Sequence, residues 1–178
     1  MRKRLLYWEL AGFVVVGALG ALSHFVYQWS GRSVFVACFA AVNESTWEHM
    51  KLLFFPMFLF SVVQLCAMGK NYPNFLAVRS ASILFGCLLI PVLFYTYAGV
   101  LGTTVDWVNI LIFYLAALGA FSLDYCLLRR GRMNAMWQQL LGLVILWVLA
   151  FAFVWFTFNA PQLGLWQDPI TGTYGVKL

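Results

Sequence analysis

The chain has 178 residues, of which 63% are hydrophobic and 19% aromatic, while only 10% are Asp, Glu, Lys or Arg. A water-facing domain carries roughly 25% charged residues, so this composition excludes a soluble globular protein and, at this length, a separate soluble catalytic domain beside a membrane bundle. The net charge of +5 comes from basic residues clustered beside apolar stretches, the pattern of a topology signal and not of a nucleic-acid surface.

Behind the basic start Arg2, Lys3 and Arg4, residues 7–27 form an apolar segment long enough to span a bilayer, broken only by Glu9 and His24. The same order of basic, apolar and small residues is shared by cleaved signal peptides, the competing reading of this segment. Residues 34–42 are apolar but too short to cross and predict a re-entrant or interfacial half-helix, unless they extend into a long second helix. Further spans fall at 52–69, 78–99, 107–127 and 135–158. The expected fold is therefore all-α: one polytopic membrane helical bundle over residues 1–178, with five spanning helices plus the half-helix before the second, and a polar tail at 159–178. Pro56 and Pro91 fall inside spans. No repeat of 20 to 50 residues is visible, which disfavours a transporter built from inverted halves. Cys38, Cys66, Cys87 and Cys126 are scattered singly in apolar runs, against a disulfide framework or a cysteine-ligated zinc.

With five spans, Arg2, Lys3, Arg4, Lys70, Arg79, Arg129, Arg130 and Arg132 fall on one side, and Arg32, Lys51 and Lys177 on the other. The positive-inside rule then places the N-terminus in the cytoplasm and the C-terminus outside a multi-pass cytoplasmic membrane protein. His24, the stretch 43–51, Asp106 and the tail share the outer face, which gathers both histidines and four of the six acids. Asp124, near the other face, is expected to pair with Arg129 and Arg130.

The densest polar stretch is Asn43-Glu44-Ser45-Thr46-Trp47-Glu48-His49-Met50-Lys51. A helix through it would group Glu44, Trp47, Glu48 and Lys51 on one side and Ser45 with His49 on the next. Carboxylate with imidazole is a ligand set for a divalent metal, the one candidate for a cofactor that the sequence leaves otherwise unknown, so His24, Glu44, Glu48 and His49 are the candidate catalytic and metal-ligating residues. Asn43, Trp47, Lys51, Asp168 and Tyr174 are the candidate substrate-binding residues. The bland reading of the same stretch is a helix start, with Ser45 and Glu48 as a capping box. Gly17, Gly20 and Ala21 form a small-residue stripe with His24, suited to close helix approach and to turning His24 inward.

The segments Val42-Asn-Glu-Ser-Thr-Trp-Glu-His-Met-Lys-Leu52 and Asp168-Pro-Ile-Thr-Gly-Thr-Tyr-Gly175 resemble a family of small bacterial integral membrane proteins classed as a domain of unknown function. Its first motif usually reads P-V-N-E-S-x-W-E-H-x-K, with Ala41 here in place of the proline. The resemblance implies a bacterial membrane protein and brings no reaction. Three functions stay open on the residues: a metal-assisted hydrolase or transferase acting on a lipid or amphiphile, a substrate-binding subunit of a transporter, or a non-catalytic partner of another membrane protein. Membrane lipid is the expected contact in each case, with a membrane-protein partner or a homo-oligomer as further candidates.

The sidedness is open to a direct test. With the native cysteines replaced, an impermeant thiol reagent on intact cells should label a cysteine introduced at Lys177 and spare one in the Arg129–Arg132 loop; labelling of that loop alone would invert the topology.

Overall fold

The computed structural model describes residues 2–176, so Lys177 lies outside the described residues. Among the described residues six α-helices run in order: α1 (Arg2–Trp29), α2 (Val34–Ala37), α3 (Thr46–Met68), α4 (Phe75–Leu101), α5 (Asp106–Arg130) and α6 (Met136–Phe158). Single 3-10 turns follow α3 and α6, and no strand occurs among the described residues beyond one isolated bridge between Gln167 and Tyr174. The five long helices have 23 to 28 residues, or ~34 to ~42 Å, and are apolar enough to cross a membrane. The half-helix expected over 34–42 is a single turn, α2, followed by irregular chain to Ser45.

The helices alternate in direction, which divides the bundle into two ends. The first carries the starts of α1, α4 and α6 and will be called the Arg2 end; the second carries the starts of α3 and α5 and will be called the His24 end. Residues 2–29 are an integral layer of the bundle, with Leu5, Glu9 and Val16 buried.

Helix α3 is the axis. Every residue from 46 to 57 except His49 is buried, and α1, α4, α5 and α6 all touch this helix. Helix α6 behaves oppositely: it buries Gly142, Leu146, Phe153 and Thr157, one face at helical spacing, and exposes Trp147, Val148, Phe151 and Trp155. An exposed face more apolar than the buried one suits a hydrocarbon surrounding. Close approach is bought by small residues: a Cβ at Gly142 would lie 2.7 Å from the Leu76 carbonyl of α4, and one at Gly20 would lie 2.7 Å from the Leu52 carbonyl of α3. Gly17 and Gly20 are thus filled by the chain's own helices.

Near the Arg2 end, four helices each send one polar side chain into the core. Arg79 of α4 has no exposed surface; its Nη2 lies 3.1 Å from Asp124 Oδ2 of α5 and donates to Gln64 Oε1 of α3. Gln64 Nε2 in turn donates to Glu9 Oε1 of α1 at 2.7 Å, and the guanidinium carbon sits 5.1 Å from the Phe75 ring centre. This corrects two expectations. Arg79, counted from the sequence among the basic residues of one membrane face, is instead a core residue, because α4 begins at Phe75 and the helical phase turns Arg79 inward. Asp124 pairs with Arg79 and not with Arg129 or Arg130; Arg129 donates to the exposed Tyr125 hydroxyl at 3.3 Å. A buried carboxylate needs a buried cation, and Arg129 is exposed.

Replacing Arg79 by Met leaves Glu9 and Asp124 without a cation in the core and should lower stability by about 3–5 kcal/mol. Arg129→Met should stay within about 0.5 kcal/mol. Unfolding of both variants in one detergent measures the contrast.

Candidate functional site

The site begins where α3 begins. Asn43 Oδ1 accepts from the Ser45 N–H at 2.9 Å, and Ser45, extended at φ −66°, ψ 150°, accepts from the Glu48 N–H at 3.4 Å. This is half of the expected capping box. The reciprocal bond is absent, because the Glu48 carboxylate accepts instead from the Val42 N–H at 3.1 Å and from Lys51. The extended cap also interrupts the helical phase, so Glu44 is not on the Glu48 side of the helix as a continuous helix would require.

Glu44 turns toward α1. Its Oε2 lies 3.4 Å from His24 Nε2 and 3.6 Å from His49 Nε2, and one ligand atom from each of the three residues falls within 4.8 Å of the others. The two imidazoles meet edge to face with centres 5.5 Å apart. His49 Nδ1 is 2.9 Å from the Ser45 carbonyl, which only accepts, so Nδ1 carries the hydrogen and neutral His49 presents a free lone pair at Nε2. The hydrogen bond to the adjacent His24 imidazole, opposed by partial burial, holds the Glu44 carboxyl below the usual range.

Glu48 and Lys51 form a separate network toward α6. Lys51 Nζ donates to the Ala37 carbonyl at 2.8 Å, Glu48 Oε2 at 2.7 Å and Thr157 Oγ1 at 2.8 Å, using all its hydrogens. Thr157 Oγ1 lies 3.0 Å from Glu48 Oε1. Lys51 has no exposed surface and Glu48 is 1% exposed. Neither lines a cavity found beside the histidines.

The remaining predicted residues secure the tail. Trp47 packs against Phe153 and Trp166 with ring centres 4.7 and 5.0 Å away, and Asn43 Nδ2 donates to the Gly175 carbonyl at 3.4 Å. Tyr174 pairs with Gln167, and the Val176 N–H donates to the Thr157 carbonyl at 2.9 Å, so the tail lies folded across the His24 end. Asp168 Oδ1 accepts from the N–H groups of Ile170 and Thr171 at 2.8 and 3.2 Å. Burial raises its carboxyl, but these donors outweigh that and hold it below its ordinary value.

Of the nine residues singled out from the sequence, His24, Glu44 and His49 converge on a cavity of about 410 Å³ between α1, α3 and α5. Its polar side adds Asp106 and Asn109 of α5; its apolar side is formed by Gly20, Leu52, Ile110, Phe113 and Tyr114. A smaller cavity of about 90 Å³ continues from it past Thr46 toward Phe94. Asn109 and Ile110 were not singled out, although Asp106, Asn109, Ile110 and Phe113 recur at helical spacing from the start of a span, a polar-to-apolar face that could have marked them.

The two acids of the motif separate by consequence. Glu48→Ala should cost about 3–5 kcal/mol by stranding the buried Lys51 ammonium, whereas Glu44→Ala should stay within about 0.5 kcal/mol. Ser45→Ala should cost about 1 kcal/mol through the lost cap. Thermal unfolding of the three variants gives the order.

A model of a family of unknown function (DUF6512) matches residues 2–176. Comparison with curated proteins and with solved structures gave no match.

Proposed function

The chain belongs to this family of unknown function, which assigns it no reaction, and from the geometry we propose that it is a membrane-embedded hydrolase or transferase that uses a divalent metal held by His24, Glu44 and His49 to act on an amphiphile. The observation that carries this reading is the ligand triangle opening onto the 410 Å³ cavity. Ligands 2.0–2.1 Å from a tetrahedral zinc are about 3.4 Å apart, and the two Glu44–histidine separations are 3.4 and 3.6 Å. The Ser45 carbonyl on His49 Nδ1 supplies the orienting partner that metal-bound imidazoles ordinarily have.

Three protein ligands leave a coordination position open, and a divalent ion there would lower the pKa of a bound water toward neutrality. The chain's own residues do the rest. Glu44 and the two imidazoles fix the position beside the cavity, and Asp106, which lines the cavity with them, is a carboxylate available to take a proton. The apolar side accommodates a hydrocarbon portion, while Pro169 and Ile170 of the folded-back tail cover the site. Basic residues Lys70, Arg129, Arg130 and Arg132 at the opposite end support an outward-facing site by the positive-inside rule.

Elemental analysis of protein purified without chelators should find about one divalent ion per chain, reduced in His24→Ala, Glu44→Ala and His49→Ala and released as the pH falls through the imidazole range near 6.5. Retention of the ion in a folded His24→Ala/His49→Ala double variant, or no ion in the parent after incubation with zinc, would overturn the assignment.

A further inference from the structure

Resting on that metal reading, we infer that the cavity takes an amphiphile with an uncharged polar head, of the ester or amide class, whose apolar chain enters from the bilayer between α1 and α5. Charge, polarity and access each support it.

The carboxylates of Glu44 and Asp106 line the cavity, and no Lys or Arg does so among the described residues. Lys51 is close in sequence, but its donors are spent on Ala37, Glu48 and Thr157. A divalent ion beside two carboxylates is neutral in sum. A phosphate head would add negative charge with no guanidinium or ammonium to meet it, whereas anionic heads are ordinarily held by such groups. The start of α5 faces the cavity but already carries Asp106 in its first turn, which satisfies the positive end of that helix.

The polar groups are segregated. Glu44, His24, His49, Asp106 and Asn109 lie at the His24 end of the cavity, and Gly20, Leu52 and Phe113 lie deeper. Gly20 is nine residues before the end of α1, ~13 Å along its axis, so the apolar part reaches hydrocarbon depth. There α1 and α5 are in contact: a Cβ at Gly17 would be 3.0 Å from the Tyr114 ring, and one at Gly12 would be 2.6 Å from Phe121. Nearer the His24 end, Phe25 and Ile110 flank the cavity with 50% and 60% of their surface exposed, while Ile170 closes it from the tail. The side between α1 and α5 is thus the entry for a chain arriving from lipid.

The test uses a monoacylglycerol bearing a diazirine in its chain, photolysed with the purified protein in phosphatidylcholine nanodiscs, with adducts mapped by mass spectrometry and metal content measured on the same samples. Adducts should fall within residues 20–25 and 106–114. Unlabelled monoacylglycerol should compete roughly tenfold better than lysophosphatidic acid of equal chain length, a difference of ~1.4 kcal/mol. Ala21→Trp, which fills the cavity from α1, should remove most adducts with metal content unchanged; Ile110→Trp fills it from α5 and replaces that variant if it does not fold. Equal or better competition by lysophosphatidic acid, or undiminished adducts in a folded Trp variant, overturns the inference. Protein that holds no metal but keeps the neutral-head preference sinks the metal reading and retains the amphiphile site; protein that holds metal but gives no adducts does the reverse.

Discussion

The His24 end depends on the buried ammonium of Lys51. A cation with no exposed surface requires acceptors for each of its hydrogens, and these come from three separate parts of the chain: the Ala37 carbonyl at the end of α2, Glu48 in the first turn of α3, and Thr157 at the end of α6. Meeting that demand draws the irregular segment 38–45 against the bundle and fixes where α3 starts. It also consumes Glu48. The other acid of the motif, Glu44, is left on the opposite side of the Ser45 cap, facing α1 and the histidines.

The structure therefore contains polar groups of two kinds. Lys51–Glu48–Thr157 and Arg79–Asp124–Gln64–Glu9 are enclosed, and they join helices distant in sequence. The hydrogen bonds they make are to protein atoms, as an apolar surrounding demands, while Arg79 Nε and Nη1 and Glu9 Oε2 have no hydrogen-bond partner among the described residues. The His24–Glu44–His49 group differs in that its members are half-buried and its free nitrogen lone pair and carboxylate oxygens face open space. Enclosure suits a structural role. Convergence on a cavity, with a backbone carbonyl fixing one tautomer, suits ligand binding.

The tail links the two kinds. Its hold on the bundle comes from the aromatic packing of Trp166 on Trp47 and Phe156, the Asn43 bond to Gly175, and the Val176 bond to Thr157. Those contacts set Pro169 and Ile170 over the cavity, with Asp168 ordering the turn that carries them. Trp47, Asn43 and Asp168 therefore set the position of the tail over the cavity.

The sequence by itself determined the membrane class, the number of long helices, the cap at Ser45 and the gathering of both histidines at one end, because apolar length, turn chemistry and helix parity are properties of contiguous segments. It also carried the family likeness in the 42–52 and 168–175 motifs. Only the tertiary structure decided that Glu44 joins His24 and His49 while Glu48 joins Lys51, and that Arg79 and Asp124 are partners in the core. Each of those outcomes turns on where a second helix presents its side chain: Thr157 is separated from Lys51 by 106 positions and Gln64 from Glu9 by 55. A local pattern fixes which residues share a helix face, but it does not fix which neighbour that face meets, and in a medium without water the neighbour determines whether a charged side chain is enclosed in the core or left free to bind.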